Sequence, residues 1–390
     1  MTEKATSINT LYEDVIASQA SVSRLVLQNF RSYPSLTFEA SASPVVLTGA
    51  NGAGKTNILE AISYLAPGRG MRSAKLSEVD TAGEGAWVVS ANMNIDDDEH
   101  HIGTGRAEGN SARGKRVIHL NATQNVPQSE LASLCTIMWQ TPQMDGLFLA
   151  GSSERRRFID RIVYHFDVLH ARRVNVYEHA VRERMQLLQT GADSSWLSIV
   201  EQRVAAEGVA IAVARNNVVE LVASAIEQAP SAFPKAVLQM DGEIEQLLKE
   251  KSSALDTEEY FIKKLFDNRS HDRRSGRTQF GTHRSDLSVL HDEKEMPAKL
   301  CSTGEQKALL LSIVLAEARA KALWRGSVPI LLLDEVVAHL DETRRSALFE
   351  EIAAMKAQCW MTGTDAMLFD SIRSEAQFFT VKDGAVNLVE

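Results

Sequence analysis

The stretch Gly49-Ala50-Asn51-Gly52-Ala53-Gly54-Lys55-Thr56 decides how the rest of the chain is read. It follows Pro44-Val45-Val46-Leu47-Thr48, a short apolar run with β-branched residues, and precedes Ile58, Leu59, Ile62 and Leu65 at helical spacing. Strand, glycine-rich turn and helix in that order are the context a P-loop requires. The glycines let backbone N–H groups close around phosphate oxygens, and a helix starting at Lys55 turns its positive end toward them. Lys55 is expected to reach the β- and γ-phosphates of ATP, Thr56 to ligate Mg2+, and Asn57 to lie beside them. The helix is expected to stop near Pro67-Gly68.

Pro329-Ile330-Leu331-Leu332-Leu333-Asp334-Glu335 has the form of a Walker B strand, apolar on both faces with two carboxylates at its C-terminal end. Asp334 is expected to hold Mg2+ through its water shell, and Glu335 to act as the catalytic base that polarises the attacking water. His339-Leu340-Asp341 fits the D-loop that follows Walker B, which makes Asp341 a nucleotide-side candidate. Ser302-Thr303-Gly304-Glu305-Gln306 resembles the ABC signature at the start of a long helix. A hydroxyl, a bare glycine and a helix N-terminus form a second anion site, in which Ser302, Gly304 and Gln306 face a γ-phosphate presented by another subunit. In isolation the same residues read as an ordinary capping box. The order P-loop, signature, Walker B favours the first reading.

Around these motifs the chain reads as an α/β protein: an ABC-type ATPase head, its P-loop core built on a mixed β-sheet, split by a mainly helical inserted lobe. The expected division is an extension over 1–20, the P-loop half of the core over 21–150, the helical lobe over 151–275, and the signature and Walker B half over 276–390. Val22 to Glu39 reads as a hairpin turning at Asn29–Pro34, and Val328 to Leu333 as one strand. From Ser152 to Gln228 apolar residues recur at three and four. Gly242 and Ser252-Ser253 are expected breaks after it.

The 390 residues carry a net charge of −9, with 44% hydrophobic and 24% charged residues, which fits neither disorder nor a membrane protein. The longest apolar runs are too short to span a bilayer, the first twenty residues lack a signal-like apolar core, and three single cysteines form no paired pattern. A cytoplasmic protein is expected. The acidic balance gives no general attraction to nucleic acid, so DNA binding requires a local patch. Lys263 to Arg284 supplies one candidate, with seven basic residues against two acids; Arg273, Arg274, Arg277, His283 and Arg284 are its DNA-facing candidates, and a solvated surface is the alternative. Arg155, Arg156 and Arg157 on one helix turn point in different directions, so one or two of them, Arg155 and Arg156 foremost, can serve DNA while others form ion pairs.

The long separation of Lys55 from Asp334 exceeds that of a compact transporter ATPase and falls far short of a long SMC coiled coil; the chain instead resembles the RecF family. Asn29-Phe30-Arg31-Ser32-Tyr33 is similar to that family's opening strand-turn, Ser152 to Asp160 to its Ser-x-x-Arg-Arg-x-Phe-x-Asp segment, and Gly281 to Leu287 to its Gly-x-His-Arg-x-Asp-Leu box. The resemblance implies nucleotide contacts from Asn29, Arg31 and Ser32; Gln143, after Pro142 where many members of the family carry an acid, departs from the pattern and is a candidate Q-loop residue sensing Mg2+ and phosphate. It also implies a weak, DNA-stimulated ATPase that dimerises on ATP and binds single- and double-stranded DNA, gapped or junction DNA included. Such proteins act with RecO and RecR to help load RecA, supporting replication restart and SOS induction. No membrane partner is implied. A transporter-type ABC subunit and a non-hydrolysing DNA scaffold are the rival readings.

Overall fold

The computed structural model describes residues 18–81, 85–96, 98–107, 115–229, 232–250 and 253–389. The expected extension over 1–20 lies, through residue 17, outside the described residues, and Ser18 already opens the first strand. The chain forms two compact units, one containing 18–145, 229–233 and 310–389, the other 146–228 and 234–309.

The first unit holds two sheets. Across the six-stranded one the order is Ala385–Leu388, Gln377–Lys382, Val45–Thr48, Cys359–Gly363, Ile330–Leu333 and Ile137–Gln140. All neighbours are parallel except the Ala385–Leu388 edge. Val45–Thr48 and Ile330–Leu333 are buried at every position, as expected of strands covered on both faces. The second sheet is built on Ser18–Phe30, which pairs antiparallel with Tyr33–Glu39 and Val88–Ile95; Asp98–Arg106, Arg116–Leu120 and Thr123–Gln124 extend it. Aromatic rings join the layers. Phe30 packs edge-on against Tyr64 and Trp87, at 5.9 and 5.7 Å, and Phe38 against Trp360 and Phe379, at 5.4 and 4.5 Å.

Pro329 divides the strand expected over Val328 to Leu333. Ser327–Val328 pairs with Ser18 and Gln19 of the antiparallel sheet, and Ile330–Leu333 enters the parallel one. Proline lacks the N–H that an unbroken ladder needs, so the chain changes sheets there. The helix after the P-loop, Lys55–Ser63, ends before Pro67-Gly68, with Tyr64 at its C-cap.

In the second unit the helices Ser152–Phe166, His170–Thr190 and Ser194–Glu227 are joined by the short sheet Ala236–Asp241, Asp286–His291 and Met296–Pro297. Gly242 and Ser253 stand at helix N-caps; Ser252 lies outside the described residues. Gly208 lets helix Ser194–Glu227 approach closely, because a Cβ there would lie 2.6 Å from the Phe261 ring. The same helix is long and apolar enough to cross a membrane by length and composition. It serves as a core helix, with Val204, Ala205, Val209, Ile211 and Ala212 buried among Tyr177, Phe261 and Leu265. It also carries Glu201 and Arg215, which form buried ion pairs with Arg184 and Asp160.

Candidate functional site

The P-loop strand and the Walker B strand are separated by one strand, Cys359–Gly363, and all three end at the same edge of the sheet. That arrangement gathers the chemistry. The Thr56 hydroxyl donates to Asp334 Oδ1 at 2.9 Å, and the Thr362 hydroxyl donates to the same oxygen at 2.8 Å. Thr362 Oγ1 in turn accepts the backbone N–H of Glu335 at 2.8 Å. Glu335 leaves the strand with φ 53, the left-handed region that costs a non-glycine residue about 1 kcal/mol or more. A hydroxyl in contact with a carboxylate is an all-oxygen donor pair of the kind Mg2+ takes.

The loop itself fits a phosphate cradle. Gly49, at φ 147, has no room for a side chain, since a Cβ would lie 2.3 Å from the Val381 carbonyl oxygen. Gly54, at φ 110, closes against the Tyr33 hydroxyl, and Gly52, at φ 82, faces open space. Lys55 arches back to donate to the carbonyls of Gly49 and Ala50 at 2.7 and 2.9 Å. Burial pushes its ammonium below the ordinary lysine value, while Glu335 and Asp334 pull the other way. Asn51 and Ala53 complete the turn, in which Ala53 N–H donates to the Ala50 carbonyl.

Beside the loop, Arg31 donates to the buried carboxylate of Glu60, its Nε at 2.9 Å, and to the Glu78 carbonyl at 2.7 Å. Arg72 reaches Glu60 and the Asn57 amide oxygen, both at 3.0 Å, and Asn57 Nδ2 donates to Ser32 Oγ at 2.8 Å. Glu60 and Arg72, absent from the sequence reading, thus join Arg31, Ser32 and Asn57 into one network. Asn29 and Arg31 hold the turn with positive φ, 50 and 54. Gln143 is exposed in the short helical turn Pro142–Gly146. Gln140 was not anticipated. It ends the strand paired with Leu333, its carbonyl accepts the Asp334 N–H, and its buried amide oxygen has no hydrogen-bond partner among the described residues. Asp341 caps helix Glu342–Met355 through the Arg344 N–H at 2.9 Å; the side chain of His339 lies outside the described residues.

Thr362 thus links the two acids that end the Walker B strand. Thr362→Val is expected to leave the Asp334 carboxylate and the Glu335 amide short of one partner each, lowering stability by about 1–3 kcal/mol. Thr362→Ser should restore most of it. Urea unfolding midpoints check this, and a valine variant as stable as the parent contradicts it.

In the second unit, Ser302 and Glu305 form a reciprocal capping box: the Ser302 N–H and hydroxyl reach Glu305 Oε2 at 2.9 and 2.8 Å. Lys294 clamps the same carboxylate, and that hydrogen bond together with those from Ser302 brings Glu305 down to about 2. Gln306 is buried and donates to the Cys301 carbonyl at 2.9 Å. Gly304 is exposed, and no atom lies within 4 Å of where its Cβ would stand.

The two arginine- and histidine-containing motifs of this unit are bound to each other. Arg155 grips Asp286 through Nε and Nη2 at 2.7 and 2.6 Å, and Arg156 donates to the Ser285 carbonyl at 2.6 Å. The hydrogen bond to Asp286 raises the Arg155 pKa, and burial lowers that of Arg156. His283 donates from Nε2 to the Thr278 carbonyl at 2.9 Å; Nδ1 therefore accepts from the Tyr177 hydroxyl, at 2.7 Å. Burial depresses its pKa, and both ring nitrogens are engaged in hydrogen bonds. Arg155 and His283 thus make these hydrogen bonds inside the unit, within the 281–287 segment and to its neighbours. Of the basic run, Lys264 pairs with Glu243 and Arg269 with Glu201. Arg273, Arg274, Arg277 and Arg284 are exposed, with no ion pair among the described residues.

The family model described as the RecF/RecN/SMC N terminal domain matches residues 21–387. The chain is 44% identical over 377 residues to the DNA replication and repair protein RecF of Allorhizobium ampelinum, covering 96% of this chain and 100% of that protein. It is 46% identical over 371 residues to the protein of the same name in Brucella suis, covering 94% and 96%. A solved structure of the recombination mediator protein RecF with ATP, described as part of the RecFOR pathway, matches with a TM-score of 0.82 at 23% identity over 95% of this chain and 98% of that one. An Smc head domain from Pyrococcus furiosus matches at 0.54 and 16% identity, over 95% and 96%. At these identities the two structural likenesses concern the fold, an ABC-type ATPase head.

Proposed function

The chain belongs to the RecF family within the RecF/RecN/SMC class, and on that premise we propose that it is an ATP- and Mg2+-dependent DNA-binding protein of recombinational gap repair. The observation that carries the reading is the junction of Thr56, Asp334, Thr362 and Glu335 at one edge of the parallel sheet. Mg2+ bound with ATP would neutralise charge on the phosphates. The chain's residues do the remaining work. Lys55 exchanges the Gly49 and Ala50 carbonyls for phosphate oxygens, Thr56 and Asp334 supply the metal-side oxygens, and Glu335 accepts a proton from the attacking water. Gln140, buried beside Asp334, is a better placed Q-loop candidate than exposed Gln143. Asn29, Arg31, Ser32 and Asn57 flank the nucleotide, with Asp341 beyond Walker B.

Ser302, Gly304 and Gln306 serve a second copy of the chain, so that ATP joins a homodimer. Exposed Arg273, Arg274, Arg277 and Arg284, with Arg156 behind them, offer phosphate contacts to single- and double-stranded, gapped or junction DNA. RecO and RecR are the proposed partners in helping to load RecA at single-strand gaps, in support of replication restart and SOS induction. Weak, DNA-stimulated ATP turnover in the cytoplasm completes the reading.

Lys55→Ala tests it. The ammonium bonds to the loop carbonyls of Gly49 and Ala50, so the variant is expected to fold like the parent while its ATP affinity drops by about a hundredfold or more, consistent with the loss of a charge-assisted contact of roughly 3 kcal/mol. Calorimetric titration with ATP reads this directly. Parent-like affinity rejects the nucleotide-site assignment.

A further inference from the structure

On the antiparallel sheet of the first unit lies a groove of about 990 Å³, far from acidic in a chain that is acidic overall. Arg69, Lys75, Arg106, Lys115 and Arg116 line it, and among the described residues its walls contain no carboxylate and no aromatic ring. Arg106 is neutralised by Asp80 at 2.9 Å, and Lys75 stands 3.7 Å from Glu78 in an exposed, weak pair. Arg69 and Lys115 are exposed and have no ion pair among the described residues.

Arg116 is the telling residue. It is only 8% exposed, yet every group it touches is neutral. Its Nε donates to Thr104 Oγ1 at 2.8 Å, Nη1 to the carbonyls of Ala66 and Gly68 at 3.0 and 2.9 Å, and Nη2 to the Tyr64 carbonyl. These carbonyls belong to the turn that ends the P-loop helix, where the helix dipole is negative. Burial brings the Arg116 pKa down to about 10, and no carboxylate opposes the shift. A buried cation without a counter-ion is costly; the carbonyls and the Tyr64 ring, 5.5 Å from the guanidinium, offset part of that cost, and an anion entering the groove would offset more.

We propose that this groove binds the phosphodiester backbone of nucleic acid, and that Arg116 ties its occupancy to the C-terminal end of the P-loop helix. The proposal rests on the DNA-binding reading above and adds a contact surface in the other unit. A free nucleotide draws much of its affinity from stacking and base-edge contacts. Walls without aromatic rings and with several cations suit a repeating phosphate instead, and make the contact independent of sequence. Because three carbonyls at the helix end hang on one guanidinium, a change in the field around Arg116 acts on the helix that carries Lys55 and Thr56. By linkage, DNA should alter ATP affinity and ATP should alter DNA affinity by the same factor.

The test uses the full chain carrying R69E, K75E and K115E, all outside the nucleotide site. Anisotropy of labelled duplex and single-stranded DNA over a salt series is expected to show about tenfold or greater loss of affinity at low salt. The slope of log K against log salt should fall by about 2.7, near 0.9 for each of the three lost phosphate contacts. ATP affinity without DNA should stay at the parent level, while its response to DNA disappears. The neutral set R69Q, K75Q and K115Q, which adds no repulsion, should flatten the slope equally with a smaller loss of affinity. A parallel variant with R273E, R274E and R277E should weaken binding independently, since the two sets share no partners. Parent-like affinity and slope in both groove variants, alongside loss in the R273E set, overturns the groove alone. Competition by inorganic pyrophosphate or free ATP as effective as DNA itself also overturns it, in favour of a small-anion site. A parent chain that binds no DNA overturns the functional reading first.

Discussion

Glu335→Gln is expected to bind ATP like the parent chain and to turn it over about a hundredfold or more slowly. The residue sits directly after the Walker B strand, with its backbone N–H fixed by Thr362 Oγ1 and its φ held at 53. Glutamine shares the β-carbon and the length of glutamate, so the strained backbone costs the same in both chains and the fold is unaffected. The amide cannot accept a proton, and removal of a positioned general base typically costs 10²–10⁴ in rate, or roughly 3–5 kcal/mol of barrier. Binding without turnover should also accumulate the nucleotide-joined dimer. Single-turnover hydrolysis beside equilibrium ATP titration separates the two effects. Hydrolysis at the parent rate assigns the base to another residue.

Ser302→Arg is expected to abolish ATP-induced pairing while leaving ATP binding by the single chain intact. Ser302 and Gly304 are exposed, and among the described residues nothing lies within 4 Å of where a Gly304 Cβ would stand. In the proposed dimer, each copy offers this hydroxyl and helix N-terminus to the other copy's γ-phosphate, so one two-fold contact is made twice. Arginine there fills the close approach that glycine leaves open, at both sites at once. The substitution also removes the capping box with Glu305, a loss of about 1 kcal/mol that thermal denaturation will report separately. Sedimentation with and without ATP decides the matter: an ATP-induced dimer persisting in the variant rejects capping in trans.

The motifs legible in the sequence were those whose physics is local. A strand, a glycine turn and a helix are consecutive in the chain, and so are four apolar residues followed by two acids. What the sequence concealed was pairing across distance. Thr362 reaches Asp334 only because Cys359–Gly363 lies beside Ile330–Leu333, and Gln140 does so only through the register that sets it opposite Leu333. Charge counting identified the basic run but not its internal partners, since Glu243 and Glu201 meet Lys264 and Arg269 only in the folded unit. The hydrogen bonds that His283 and Arg155 make within the unit are hidden in the sequence for the same reason. Tyr177 and Asp286, distant in sequence, take up their hydrogen-bonding capacity. Arg116 lies outside every motif, and its environment of bare carbonyls exists only once the P-loop helix has ended above it.

Pro329 stands where a single segment leaves one sheet and enters the other. Only that residue separates the rungs Ser18–Ser327 and Gln19–Val328 from the run that ends in Asp334. There is no slack in such a corner: proline fixes φ, and paired backbone holds both sides. A twist applied to the antiparallel sheet cannot be absorbed by a compliant loop on its way to Walker B. The position of the Asp334 carboxylate is thereby tied to the register of the antiparallel sheet as well as to that of its own.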